Sequence, residues 1–136
     1  MSTEGGFSMT RIRVSLYLGE AGHKLGPGKV QLLEAIDQYG SLSAAARSMG
    51  MAYRHAWEMV DELNRCFAAP AVEMVTGGRA GGGAQLTGWG QEVVRRFRRI
   101  EAGAQRAAGP HLRALAAHLD PDEPPRRHSK GRSQSA

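Results

Sequence analysis

Between residues 11 and 18 the chain alternates: Ile12, Val14, Leu16 and Leu18 fall on one face, Arg11, Arg13, Ser15 and Tyr17 on the other. A period of two marks a half-buried strand. Residues 19–28 interrupt it with Gly22, Gly26, Pro27 and Gly28, a turn-rich connection. The period then becomes helical over residues 29–39, where Val30, Leu32, Leu33 and Ile36 share a face and Gly40 supplies a C-terminal cap.

Residues 40–57, GSLSAAARSMGMAYRHAW, predict two helices joined by a tight turn. Ser43 is placed to cap the first, Ala44, Ala45 and Ala46 let a neighbouring helix approach closely, and Gly50 stops it. The second opens near Tyr53 and runs to about Phe67, with Ala56, Met59, Val60, Leu63 and Phe67 as its apolar stripe. Arg54, Glu58, Asp61, Glu62 and Arg65 occupy the opposite face. Such a pair is a helix-turn-helix, whose second helix is shaped to enter the DNA major groove. An ordinary helical hairpin is the plainer reading of the same residues.

Beyond Pro70, residues 71–75 predict a short strand, TGGRAGGGA a loop, and residues 85–87 the returning strand. Gly77, Gly78, Gly81, Gly82 and Gly83 allow positive φ and close approach to a ligand backbone. Strand, loop and strand in this position form a wing. A long helix follows from Thr87 or Gly88, with Val93, Phe97, Ile100 and Ala104 as its stripe and Arg95, Arg96, Arg98 and Arg99 over the rest. Gly109 and Pro110 are expected to break or kink it, since proline lacks the N–H and disfavours helix in its predecessor. Residues 111–119 then form a last short helix with Leu112, Leu115 and Leu119 on one side.

The fold class is therefore mainly α with small β. A winged helix-turn-helix over residues 11–86 is followed by a long C-terminal dimerisation helix over 87–119. A flexible N-terminus, 1–10, and a disordered, Pro- and charge-rich basic tail, 120–136, flank them.

Composition narrows the class of partner. The 136 residues have room for one core, and 18 Lys and Arg against 13 Asp and Glu give a net charge of +5. That balance favours a polyanion, nucleic acid before an anionic membrane surface. No apolar run is long enough to span a bilayer, and the opening MSTEGGFSMT has no signal-peptide pattern. A single cysteine, Cys66, excludes an internal disulfide and fits a reducing compartment. A cytoplasmic protein is the expectation.

The segment LGPGKVQLLEAIDQYGSLSAAARSMGMAYRHAWEMVDELN, followed by VEMVTGGRAGGGAQLTGWG, resembles the N-terminal DNA-binding domain of ModE-type, molybdate-responsive transcription regulators. It resembles the LysR-type winged helix more distantly. The conjunction of GSLSAAA, the YxxAW segment, the DELN-like helix end and the glycine wing carries the specificity. The resemblance covers about residues 25–90 and implies a homodimeric regulator bound to double-stranded DNA. Two positions depart from the family. Ala52 stands where a serine usually precedes the tyrosine, which removes a helix cap, and Ala80 interrupts the glycine run. Full-length members carry oxyanion-binding domains after the long helix, about where this sequence stops. The resemblance therefore carries DNA binding across, while a molybdate or tungstate effector lacks the support of a sensor domain.

The candidate DNA-binding residues are Ser43, Arg47, Tyr53, Arg54, His55 and Arg79. Tyr53, Arg54 and His55 open the second helix, where an arginine can make a bidentate contact to guanine and Tyr or His can reach a base edge or phosphate. Ser43 and Arg47 are assigned to phosphates, and Arg79 to the minor groove or backbone at the wing tip. Trp57 and Glu58 are further candidates for groove reading, though Trp57 is placed in the core in preference to a contact, because it lies near the apolar stripe. The long-helix arginines read as a solvated face partnered by Glu92 and Glu101, in preference to an added DNA-facing field. That helix is too long for one domain to cover, so a second subunit is expected against it.

Nothing points to an enzyme. The glycine loop lacks the Lys-Ser/Thr of a P-loop and the GxGxxG spacing. His55 lies ~16 Å along the helix from Cys66, and His111 and His118 are two turns apart, so neither a catalytic pair nor a metal site is expected. No cofactor is expected. Two other functional readings stay open: a protein–protein adaptor using the winged-helix surface, and an oxyanion sensor with its site at the dimer interface.

Overall fold

The computed structural model describes residues 10–75 and 82–123, and over these the chain is mainly helical with two small antiparallel sheets. The first sheet is a hairpin of β1 (Leu16–Leu18) and β2 (His23–Leu25), in register Leu16 to Leu25 and Leu18 to His23. The expected strand over 11–18 is thus realised only at its end, and its partner comes from the segment read as a connection. Gly19 and Gly22, at φ 72° and 70°, reverse the chain, and the Gly22 N–H donates to the Gly19 carbonyl (3.1 Å). Residues 11–14 keep their alternating burial, but residues 11–15 lie in no strand.

Helix α1 (Pro27–Tyr39) starts with proline at its first position, where the missing N–H costs nothing. It ends at Gly40, whose left-handed φ of 77° lets its N–H reach the Ile36 carbonyl at 2.8 Å. Its apolar stripe is fully used: Val30, Leu32, Leu33 and Ile36 are all buried.

Helix α2 (Leu42–Ser48) is capped by Ser41 rather than Ser43. A cap residue needs extended backbone, which Ser41 has, and its Oγ accepts the Ala44 N–H at 3.0 Å. Ser43 is already inside the first turn. Ala45 and Ala46 are buried where α2 packs against α1 and the next helix. Gly50, at φ 66°, makes the turn into α3 (Tyr53–Cys66), whose Ala56, Val60 and Leu63 close the core from above.

Strands β3 (Val72–Val75) and β4 (Gly83–Leu86) form the second sheet, with Val72 opposite Leu86 and Val75 opposite Gly83. Two devices fix it to the helices. The Asn64 side chain accepts the Ala71 and Val72 N–H groups (2.8 and 3.1 Å) and donates to the Val72 carbonyl (3.0 Å). The Ala84 N–H donates to the Gly40 carbonyl at 3.0 Å, tying β4 to the end of α1.

Helix α4 (Gly88–Ala116) is capped by Thr87, whose Oγ1 accepts the Gly90 N–H at 2.9 Å and donates to the Pro70 carbonyl at 2.7 Å. Gly90 passes so close to the chain before β3 that a Cβ there would lie 2.0 Å from the Ala71 carbonyl oxygen. The break expected at Gly109 and Pro110 does not occur, and α4 runs through Pro110 as one helix. A proline there removes one backbone bond, and the Ala-, Arg- and Leu-rich turns on either side favour helix strongly enough to continue. Of its stripe, Val93 and Phe97 are buried, whereas Ile100 is exposed.

Candidate nucleic-acid interface

The site is built where the turn between α2 and α3 brings two helix starts to one surface. Ser43 and Arg47, four residues apart, share an exposed face of α2. Tyr53, Arg54 and His55 are the first turn of α3, and all three are exposed. No side chain caps this helix. Ala52 holds the extended cap conformation without a hydrogen-bonding side chain, and the first intrahelical bond is that of the Ala56 N–H to its carbonyl at 3.1 Å. The N–H groups ahead of it point out of the helix start, the arrangement that attracts anions.

Charge around this surface is loosely held. Arg54 meets Glu58 at 3.4 Å, with both side chains mostly in solvent, a pair worth about 0–1 kcal/mol. Arg47 makes no ion pair among the described residues. Ser43, Arg47, Tyr53, Arg54 and His55 are all exposed; Ser43 and Tyr53 line one groove, Tyr53 and Arg54 an adjoining one, and among the described residues no contact joins Arg47 or His55 to either. Arg79, assigned to the wing tip, lies outside the described residues, as does Ala80.

Trp57 corrects the sequence reading. It is 46% exposed, not part of the core. The reason is angular: at 3.6 residues per turn, it stands roughly 100° around α3 from Ala56, beyond the edge of the buried stripe. With Tyr53 it faces Met74 and Val75 of β3 across a groove of about 410 Å³, floored by Ser41 and Ser43. Met74 and Val75 were not anticipated as site residues, although a strand with exposed apolar side chains at its end is visible in VEMV.

The long-helix arginines are organised differently. Glu92 receives both Arg95 and Arg96, the latter at 2.6 Å. The Arg96 hydrogen bond holds its carboxyl below the ordinary value, with the charge of Arg95 adding to the effect. Arg98 bonds both Glu34 oxygens (2.7 and 3.0 Å) and Glu101 (2.7 Å), which raises its own pKa further. Glu92 and Glu101 are the partners expected; Glu34, from α1, joins α4 to the body of the domain. At the end of α3, Cys66 is half-buried, and burial pushes its thiol pKa up against the opposing charge of Lys29. Phe67 beside it meets Trp89 edge-on at 5.2 Å.

Among the described residues no group of His, Cys, Asp and Glu side chains is placed to hold a metal ion. No helix among them is long and apolar enough to cross a membrane.

No protein-family model matches the chain. Curated proteins do. The chain is 39% identical over 120 residues to the molybdenum-pterin-binding protein MopB of Rhodobacter capsulatus, covering 88% of the chain and 44% of that protein. It is 39% identical over 88 residues to the molybdenum transport protein ModE of Azotobacter vinelandii, covering 65% of the chain and 33% of that protein. To the DNA-binding transcriptional dual regulator ModE of Escherichia coli (strain K12) it is 38% identical over 71 residues, 52% of the chain and 27% of the regulator. The chain thus spans less than half the length of these relatives. Their names describe a molybdenum-pterin-binding protein, a molybdenum transport protein and a DNA-binding transcriptional regulator, and none names an enzyme activity.

Proposed function

We propose that the chain is a DNA-binding transcription regulator that reads duplex DNA as a homodimer. In this reading α2 and α3 are a helix-turn-helix, and β3 and β4 with the segment between them are its wing. The observation that carries the proposal is the uncapped, exposed start of α3, bearing Tyr53, Arg54 and His55. The similarity to regulators named for DNA binding supports it.

Arg54 is the reader of base identity, held only by a weak surface pair and able to swing to a guanine edge. Ser43, Arg47 and the α3 N–H groups hold phosphates, which set register rather than specificity. Arg79, on the sequence reading, adds a phosphate or minor-groove contact from the wing. Trp89, Ile100 and Leu115 leave apolar surface along α4 in solvent, and a second copy packed there gives the two-fold dimer. Molybdenum binding stays a property of the relatives and is not part of the proposal.

Titration of a labelled random-sequence duplex at two salt concentrations tests it. Affinity should fall steeply as salt rises, because each neutralised phosphate releases a counterion. Absence of binding even at low salt would sink the DNA reading and favour the adaptor.

A further inference from the structure

Four large aromatic and aliphatic side chains surround one groove, and the contacts proposed for Arg54, Ser43, Arg47 and Arg79 leave their apolar surface unused. Trp57 and Tyr53, one turn apart on α3, are 46% and 52% exposed, and Met74 and Val75 on β3 are 47% and 43% exposed. They converge on the groove between helix and hairpin, whose side-chain polar groups among the described residues are the Tyr53 hydroxyl, the Trp57 indole N–H and those of Ser41 and Ser43. None of the described lining residues is charged. These residues offer a phosphate no counter-charge, and offer no guanidinium or amide to a base edge read by bidentate hydrogen bonding.

The rim is different. Arg54 stands beside Trp57 and Tyr53, loosely paired with Glu58. An arginine held only by a solvent-exposed pair next to an apolar groove fits a ligand that is anionic outside and apolar at one inner point. In the major groove of duplex DNA the only apolar group on a base edge is the C5-methyl of thymine.

We propose that Trp57, with Met74 and Val75, receives a thymine methyl group, so that one position of the half-site is read by apolar contact beside the position read by Arg54. This deepens the DNA-binding reading and rests on it. Burying one methyl is worth about fourfold in affinity, enough to set a preference at a single position without dominating binding.

The test uses the whole chain and a duplex that it selects from a random pool. Each thymine of that duplex is replaced in turn by deoxyuridine, which keeps the pairing and hydrogen-bonding edge and removes only the methyl. The expected result is a three- to fivefold weakening at one or two positions per half-site. Trp57→Ala should bind equally well with thymine or uracil at those positions. Met74→Ala, expected to reduce the discrimination partly, serves where Trp57→Ala does not fold.

If every replacement changes affinity by less than twofold while the duplex is still bound in a salt-dependent way, the methyl reading is overturned and the DNA reading stands. Discrimination that persists undiminished in the folded variants overturns it equally, as does a selected half-site without thymine. If no duplex is enriched and random DNA is not bound at low salt, the DNA reading falls first and the methyl reading with it.

Discussion

Two regions of this molecule present arginines, and they hold them differently. On α4, Arg95, Arg96 and Arg98 are matched by Glu92, Glu101 and, from α1, Glu34, while Arg99, Arg106 and Arg113 make no ion pair among the described residues. On α2 and the start of α3, Arg47 has no ionic partner among the described residues, and Arg54 has one long, solvent-screened contact. A count of basic residues would rank α4 as the more cationic element. What separates Arg95, Arg96 and Arg98 from Arg47 and Arg54 is whether the charge is already neutralised within the fold. Arginines whose carboxylate partners sit one turn away hold and orient a helix; under the proposed function Arg47 and Arg54 are the ones that meet the phosphates and bases.

That contrast can be broken or sharpened in order of expected effect. It presupposes that α4 is docked, and Gly90→Ala attacks the docking. Alanine gains about 1 kcal/mol of helix propensity, but its Cβ would meet the Ala71 carbonyl oxygen at 2.0 Å. The clash should win, with a net loss of about 2 kcal/mol or more in denaturant unfolding. Next comes binding. Arg54→Ala should lose about 1–3 kcal/mol of discrimination between selected and random duplex, and Arg47→Ala should lower the salt slope by about one for all sequences alike. Arg95→Ala and Arg96→Ala should leave both quantities nearly unchanged in the same titrations. If they weaken binding as much as Arg47→Ala, the division between the two regions fails.

Smaller effects test the structural side. Arg98→Ala should reduce unfolding stability by about 1 kcal/mol, the scale of a bidentate but partly solvated pair, with DNA affinity of the folded protein unaltered. The slightest is pH-dependent. Because the Glu92 pKa is lowered on folding, its ion pairs favour the folded state above the ordinary carboxylate value and lose that effect as pH falls through the lowered one. Glu92→Gln should flatten the acid side of a stability–pH profile; an unchanged profile would remove the role given to Arg96.

Much of this arrangement is legible in the residues. The stripes of α1 and α3, and the stops at Gly40 and Gly50, follow from helical period and from the left-handed backbone that those glycines adopt. What escapes the sequence is set by tertiary contact. The β2 strand is three residues long, too short to show a period against the turn glycines before it. Ser41 and Ser43 are equally good cap residues, and only the backbone decides between them. Trp57 lies at the margin of its stripe, where hydrophobicity argues for burial and no neighbouring element arrives to cover it. Glu34 meets Arg98 from 64 residues away, a pairing that no local spacing announces.

Cys66 gives the chain a built-in probe. It is the one cysteine in the sequence, in the last turn of α3, next to the Phe67 ring that leans on Trp89. Burial depletes its reactive thiolate, so an alkylating reagent reacts fastest when the junction of α3 and α4 opens. The labelling rate of the unmodified protein thus clocks local breathing at the seam between α3 and α4.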